Sequence, residues 1–178
     1  LDSQQVVSRF QAEQQALAMM NHANIAKVFD AGTTDDGRPY FVMEYIEGVS
    51  LMEYCDNAQA TITERIRLFM QICEGVQYAH QQGIIHRDLK PGNIIVAGSG
   101  DQATPKIIDF GVAKAVSEAT GRDQIDTAGG VALGTPAYMS PEQATADQNV
   151  DHRSDIYAVG AMAYELLAGR PPFLAATP

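Results

Sequence analysis

Residues 86–93 read His-Arg-Asp-Leu-Lys-Pro-Gly-Asn, and residues 109–111 read Asp-Phe-Gly. Between them, Ile94-Ile95-Val96 and Lys106-Ile107-Ile108 are β-prone runs flanking a polar, glycine-bearing stretch over 97–102. A strand, a surface turn and a returning strand bring their outer ends together. Any fold for this chain must therefore gather Asp88, Lys90, Asn93 and Asp109 around one spot: a carboxylate, a cation and two hard oxygen donors.

The bulk properties bound what such a spot can serve. The chain has 178 residues, 46% of them hydrophobic, enough for a globular domain with a sizeable core. Its formal net charge of -10 argues against a nucleic-acid binder, which would present a basic face. Cys55 and Cys73 are the only cysteines and form no paired spacing, so neither a zinc site nor a disulfide framework is expected. A reducing, cytoplasmic setting follows. The longest apolar run, Ile156 to Tyr164, ends at Glu165 and is too short for a membrane span. A membrane tether outside these residues is compatible with that reading.

Along the chain, residues 3–20 are expected to be helical, with Val7, Phe10, Gln14 and Leu17 on one face. Runs 24–31 and 39–45 are β-prone about a turn at 33–37, and Glu47-Gly48 is expected as a hinge or linker. Thr61-Ile62-Thr63-Glu64 is a capping box opening a helix to about His80, whose apolar face is expected to be Ile66, Phe69, Cys73, Val76 and His80. Ile84-Ile85 is expected as a short strand. Residues 112–133 have little periodicity and are expected to form a long functional loop. Residues 154–168, apolar nearly all round, are expected as a buried helix ended by Gly169-Arg170-Pro171-Pro172.

With these motifs in order, the chain resembles the eukaryotic-type protein kinase family in its bacterial, Hanks-type serine/threonine branch. The matches run from Glu13 to about Phe173 in the family's order. The resemblance implies a bilobal α+β kinase fold, truncated at both ends: a partial N-lobe over 1–46 and a partial C-lobe over 47–178. It implies ATP and Mg²⁺ as nucleotide and metal, and protein Ser/Thr hydroxyls as acceptors.

The resemblance also implies roles. Asp88 would accept or orient the hydroxyl proton, and Lys90 would neutralise charge on the moving phosphoryl group. Asn93 and Asp109 would hold Mg²⁺. Met43 would sit beside the nucleotide pocket, backbone groups of Glu44 and Ile46 would bind adenine, and Ile95 would floor it. Glu13 matches the helix glutamate that pairs with a phosphate-binding lysine. Neither that lysine nor a Gly-rich loop finds a match in the chain, so residues 1–178 alone are expected to bind nucleotide weakly and turn over poorly. Arg87 and Lys114 resemble a basic pocket for a phosphorylated loop, with Thr127 the favoured phosphosite over Thr120. Thr135 would link loop order to Asp88 and Lys90. His86 and Phe110, with Leu17 and Val28, resemble the stack that aligns the lobes. Glu142 would anchor the Pro-Glu strip through a later arginine, and Asp155 would hold the catalytic loop from beneath. A kinase dimer for loop autophosphorylation is compatible. The alternatives are a pseudokinase or protein-docking module, a small-molecule kinase and a helical adaptor.

Overall fold

A computed structural model describes residues 17–34, 39–110, 136–145 and 150–173. It opens on a hairpin: β1 (Val28–Thr33) pairs antiparallel with β2 (Pro39–Met43), from Val28 opposite Met43 to Thr33 opposite Pro39. The strand expected from residue 24 starts later, because residues 24–26 pair elsewhere. Ile25 bridges Ile107 in parallel, with Ala26 N–H donating to Ile107 O at 2.9 Å and Ile107 N–H to Asn24 O at 2.8 Å. The buried Asn24 side chain donates to Pro105 O at 2.9 Å and to Gln71 Oε1 at 3.2 Å, fastening this segment to the rest.

β3 (Gly48–Ser50), β4 (Ile94–Ala97) and β5 (Thr104–Ile107) form an antiparallel sheet with β4 in the middle. Gly48 is thus a strand residue and not a linker. It lies so close to β4 that a Cβ would come within 2.3 Å of Val96 O, which only glycine avoids. The helix α1 (Leu51–Asn57) follows directly. It has no sequence-level expectation behind it.

α2 (Ile62–Gln81) starts where the capping box requires: Thr61 N–H donates to Glu64 Oε2 at 2.8 Å and Glu64 N–H to Thr61 Oγ1 at 3.4 Å. Its core face is Leu68, Ile72, Gly75, Val76 and Ala79, which shares only Val76 with the stripe expected, while Phe69 packs partly buried against the core. Ile66 is exposed, while Cys73 and His80 turn toward a second helix. Packed between a sheet and a helix, α2 needs two apolar faces, and a single-stripe reading found the smaller. Ile84 is not in a strand. Gly83 takes the left-handed turn at φ 75°, and Ile84 N–H caps α2 by donating to Ala79 O at 2.9 Å.

α3 (Pro141–Ala144) and α4 (His152–Ala168) complete the described part. Asp151 caps α4, accepting Arg153 N–H at 2.9 Å, and Gly169 at φ 72° ends it. α4 buries one stripe, Ser154, Asp155, Ala158, Ala161, Met162 and Leu166, whereas Ile156, Tyr164 and Leu167 are exposed. The all-round burial expected is not found among the described residues. Arg65 on α2 reaches the carbonyls of Ala60, Leu166 and Cys55 at 3.0, 3.2 and 3.4 Å, tying the ends of α1 and α4 together. One apolar cluster runs from Leu17 and Ile25 through Ile72, Ile94 and Ile107 to Met162. Each such side chain contributes roughly 1.5–3 kcal/mol on burial.

Candidate active site

The loop from His86 to Asn93 leaves α2 and enters β4, so both of its ends are held by packed elements. Its middle is held by one side chain. Asp155, 1% exposed on α4, accepts three hydrogen bonds at 2.8 Å each: His86 N–H and His80 Nε2 on Oδ2, Arg87 N–H on Oδ1. Arg87 adopts φ 68°, the left-handed region that costs a residue with a Cβ roughly 1–2 kcal/mol. Two charge-assisted bonds to successive backbone N–H groups offset that cost. Asp155 thus fastens the backbone N–H groups of His86 and Arg87 to α4.

His86 is fully buried. Its Nε2 lies 2.9 Å from Ile108 O, an acceptor, so Nε2 carries the proton. Nδ1 then accepts Asp88 N–H at 3.2 Å. Burial disfavours the cation and pushes the imidazole below its usual pKa, against weaker upward pulls from the Ile108 carbonyl and neighbouring carboxylates. This is a neutral structural histidine, not a base. Its ring stacks on Phe110 at 4.7 Å between centroids, tilted 45°.

Asp88 presents two unlike oxygens. Oδ2 receives Lys90 Nζ at 2.8 Å and Asn93 Nδ2 at 3.2 Å. Oδ1 has no hydrogen-bond partner among the described residues. Asn93 Nδ2 also donates to Asp88 O at 2.8 Å. Both partners are acceptors, so the amide orientation is settled, and Asn93 Oδ1 is turned away without a donor among the described residues although the residue is only 7% exposed. Asp109 stands at φ 57° with its carboxylate exposed and unpaired among the described residues. The structure therefore gathers Asp88, Lys90 and Asn93 as expected, with Asp109 following the far strand of the same hairpin. An orphaned buried amide oxygen and a free carboxylate are hard donors suited to Mg²⁺.

Behind this group, Leu17, Val28, Phe41, Met43, Asp109 and Phe110 line a small cavity of about 30 Å³. Leu17, Val28 and Phe110 are brought together on its wall. Next to Met43, Glu44 N–H donates to Lys27 O at 2.8 Å, leaving the Glu44 carbonyl and Ile46 N–H without partners among the described residues. The Glu44 carboxylate grips Lys106 Nζ at 2.8 and 2.9 Å, which holds its pKa below the ordinary carboxylate value. Ile95 is half-buried on the sheet face opposite Ile94 and Val96.

Glu142 does not stand alone, and it is not a buried charge. Ser154 Oγ donates to its Oε1 at 2.7 Å and lowers its pKa. Ser140, fully buried, caps α3: Gln143 N–H donates to its Oγ at 3.4 Å, and Ser140 N–H to Gln143 Oε1 at 3.2 Å. Sequence reading missed Ser140, Gln143, Ser154 and His80. The Ser140-x-x-Gln143 box was visible as a capping signal; the other contacts are long-range. Arg87 carries no ion pair among the described residues. Glu13, Lys114, Thr120, Thr127 and Thr135 lie outside the described residues.

The model of the protein kinase domain matches residues 2–177. The chain belongs to the protein kinase domain family. It is 37% identical over 174 residues to the serine/threonine-protein kinase PknB of Mycobacterium leprae (strain TN), covering 96% of this chain and 27% of that protein. It is 40% identical over 170 residues to Pkn1 of Myxococcus xanthus, also a serine/threonine-protein kinase, covering 95% and 24%. The chain thus spans about a quarter of these relatives' length. Among solved structures, the PknI kinase domain of Mycobacterium tuberculosis superposes with TM-score 0.70 at 27% identity, covering 99% of this chain and 61% of that one. Rad53 1-466 in complex with AMP-PNP gives TM-score 0.70 at 28% identity, covering 94% and 40%. The described elements are accordingly those of a truncated, bilobal α+β kinase fold. Among the described residues no helix is long and apolar enough to cross a membrane.

Proposed function

We propose that the protein containing this chain is a serine/threonine protein kinase, transferring the γ-phosphoryl group of ATP to protein hydroxyls. The observation that carries the reading is the asymmetry of Asp88. Lys90 and Asn93 fix Oδ2, while Oδ1 is left to accept a proton. In the proposed step Asp88 Oδ1 takes the proton of a Ser or Thr hydroxyl as that oxygen bonds to the γ-phosphorus. The bond from phosphorus to the bridging oxygen breaks, and ADP carries that electron pair away. Lys90 Nζ, held 2.8 Å from Asp88, balances charge on the transferred group.

Asn93 Oδ1 and Asp109 are the groups that would hold Mg²⁺, which supplies neutralisation of the phosphate oxygens. The Glu44 carbonyl and Ile46 N–H, without partners among the described residues, support adenine recognition at 44–46, with Met43 and Ile95 beside the ring. Glu13 is proposed to face the phosphate-binding lysine. That the Rad53 neighbour is in complex with AMP-PNP supports a nucleotide ligand for this chain. The division into lobes at 46/47, the regulatory roles of Arg87, Lys114, Thr127 and Thr135, loop autophosphorylation within a kinase dimer and a cytoplasmic catalytic unit belong to the same proposal.

The test is transfer of labelled phosphate from ATP to a protein substrate by the full-length protein. Asp88→Asn is expected to reduce kcat by roughly 10²–10⁴-fold. Unchanged transfer in that variant would remove Asp88 from the chemistry and the reading with it.

A further inference from the structure

The peptide unit joining Arg87 to Asp88 is fixed at both of its polar atoms. Its N–H, that of Asp88, donates to His86 Nδ1 at 3.2 Å. Its carbonyl, that of Arg87, accepts Gln143 Nε2 at 2.7 Å. The Gln143 amide has no freedom to flip. Its oxygen receives Ser140 N–H at 3.2 Å, an obligatory donor, and its nitrogen faces a carbonyl, an obligatory acceptor. Arg87 itself is at φ 68°, a conformation that persists only while neighbours over-determine it. Asp155 fixes the N–H on one side of Arg87, and Gln143 fixes the carbonyl on the other.

Rotation of that peptide plane would swing the Asp88 side chain, because its Cα is the next atom along. We propose that Gln143 is a positioning residue for phosphoryl transfer, setting the orientation of Asp88 through the Arg87 carbonyl. The link runs between segments 56 positions apart in sequence. It makes the seating of Ser140-Pro141-Glu142 a condition for a correctly aimed carboxylate. Ser140 Oγ lies 3.1 Å from Ser154 Oγ, so the glutamine is itself seated on α4, the helix that carries Asp155. The two clamps on Arg87 thus share one foundation. This inference rests on Asp88 being the proton acceptor.

Two substitutions separate the clamp from simple helix capping. Gln143→Glu keeps an acceptor for Ser140 N–H, and glutamate is a natural capping-box residue, so α3 retains its cap. A carboxylate cannot donate to the Arg87 carbonyl. Gln143→Leu removes both functions. In the full-length protein, Gln143→Glu is expected to lower kcat roughly 10- to 100-fold, the scale of a small misplacement of a reacting group. The KM for ATP should stay within twofold of the parent, because no nucleotide-facing residue is touched. Deuterium uptake across residues 84–90 should quicken about fivefold, the factor that one net hydrogen bond represents, while α2 keeps parental protection. Gln143→Leu should show both effects and lose protection in 140–144 as well. Parental kcat and parental exchange at 84–90 in Gln143→Glu would overturn the proposal and reduce the glutamine to a helix cap. A parent protein that transfers no phosphate, yet shows the same rise in exchange, would overturn the kinase reading and leave the clamp standing.

Discussion

Asp155→Asn is the most demanding test of how the catalytic loop is held. The substitution is isosteric, so no cavity opens, and only hydrogen bonding changes. The native carboxylate accepts three bonds at 2.8 Å and is 1% exposed, so water cannot replace a lost partner. An amide offers one oxygen, which can serve Arg87 N–H. Its NH₂ then faces His86 N–H, donor against donor. His80 can recover its contact by changing tautomer and accepting from the new amide, but the His86 N–H has no such escape. Losing a charge-assisted bond while orphaning a buried donor is worth roughly 3–4 kcal/mol in total. At a urea slope of about 2 kcal/mol/M, the unfolding midpoint falls by roughly 1.5–2 M with the slope unchanged. Combining Asp155→Asn with His80→Leu should cost less than the sum of the single changes, because they share one acceptor. The assay is equilibrium urea unfolding followed by circular dichroism. A midpoint drop below about 0.3 M, worth roughly 0.6 kcal/mol at that slope, would refute the account of Asp155 as the loop's foundation.

Three further expectations follow from separate contacts. Arg65→Met keeps the aliphatic stem but removes the donors to the Ala60 and Leu166 carbonyls, while the Cys55 carbonyl keeps the Ala60 N–H at 2.8 Å; a loss of about 2 kcal/mol is expected in urea unfolding, with Arg65→Lys restoring only part. His86 is buried neutral with its pKa depressed below 6.5, so in the interval beneath that value the unfolded chain binds the extra proton. Its contribution is complete above pH 6.5 and declines as pH falls toward the folded pKa, by up to about 1.4 kcal/mol per pH unit; the pH slope should flatten in His86→Gln. The Glu44 carboxylate is shifted below 4.5, mainly by Lys106, so its contribution is complete above pH 4.5 and is lost in more acid solution. Lys106→Met should abolish that acid-range component while costing under about 1 kcal/mol at neutral pH, since the pair is partly exposed.

What could be read from the sequence was what is local. The capping box at Thr61 and the helix-ending Gly169 are decided by neighbours three to five residues away, and each falls where expected. The run from His86 to Asn93 and the hairpin behind it were legible because identity and spacing alone specify them. α1 was not, because Ser50 makes no side-chain cap and the helix has only 7 residues. Packing of Leu51 and Cys55 into the core decides it. The faces of α2 were misread because two different neighbours share it. The partners of Glu142, Gln143 and His80 lie across the chain, and no pattern of residue types announces them. The positive φ values of Arg87 and Asp109 belong to the same class: in the case of Arg87, hydrogen bonds from distant elements impose them on residues that would avoid them alone.

The β4–β5 hairpin has a consequence for how the gene can change. Its four residue pairs, Ile94 with Ile107 to Ala97 with Thr104, lock the end that carries Asn93 and leads into Asp109. All variation in length is left to the opposite end, where Gly98 and Gly100 turn the chain at φ 75° and 55°. There Arg67 tethers the tip through an exposed contact with Asp101 at 2.7 Å and the Gly100 carbonyl at 3.1 Å, and Thr104 Oγ1 donates to the Gln102 carbonyl at 3.2 Å. Residues can therefore be gained or lost at 99–102 across generations without moving the two oxygen donors relative to one another. The same tip is where a peptide tag could be inserted with the least disturbance to the chemistry at the other end.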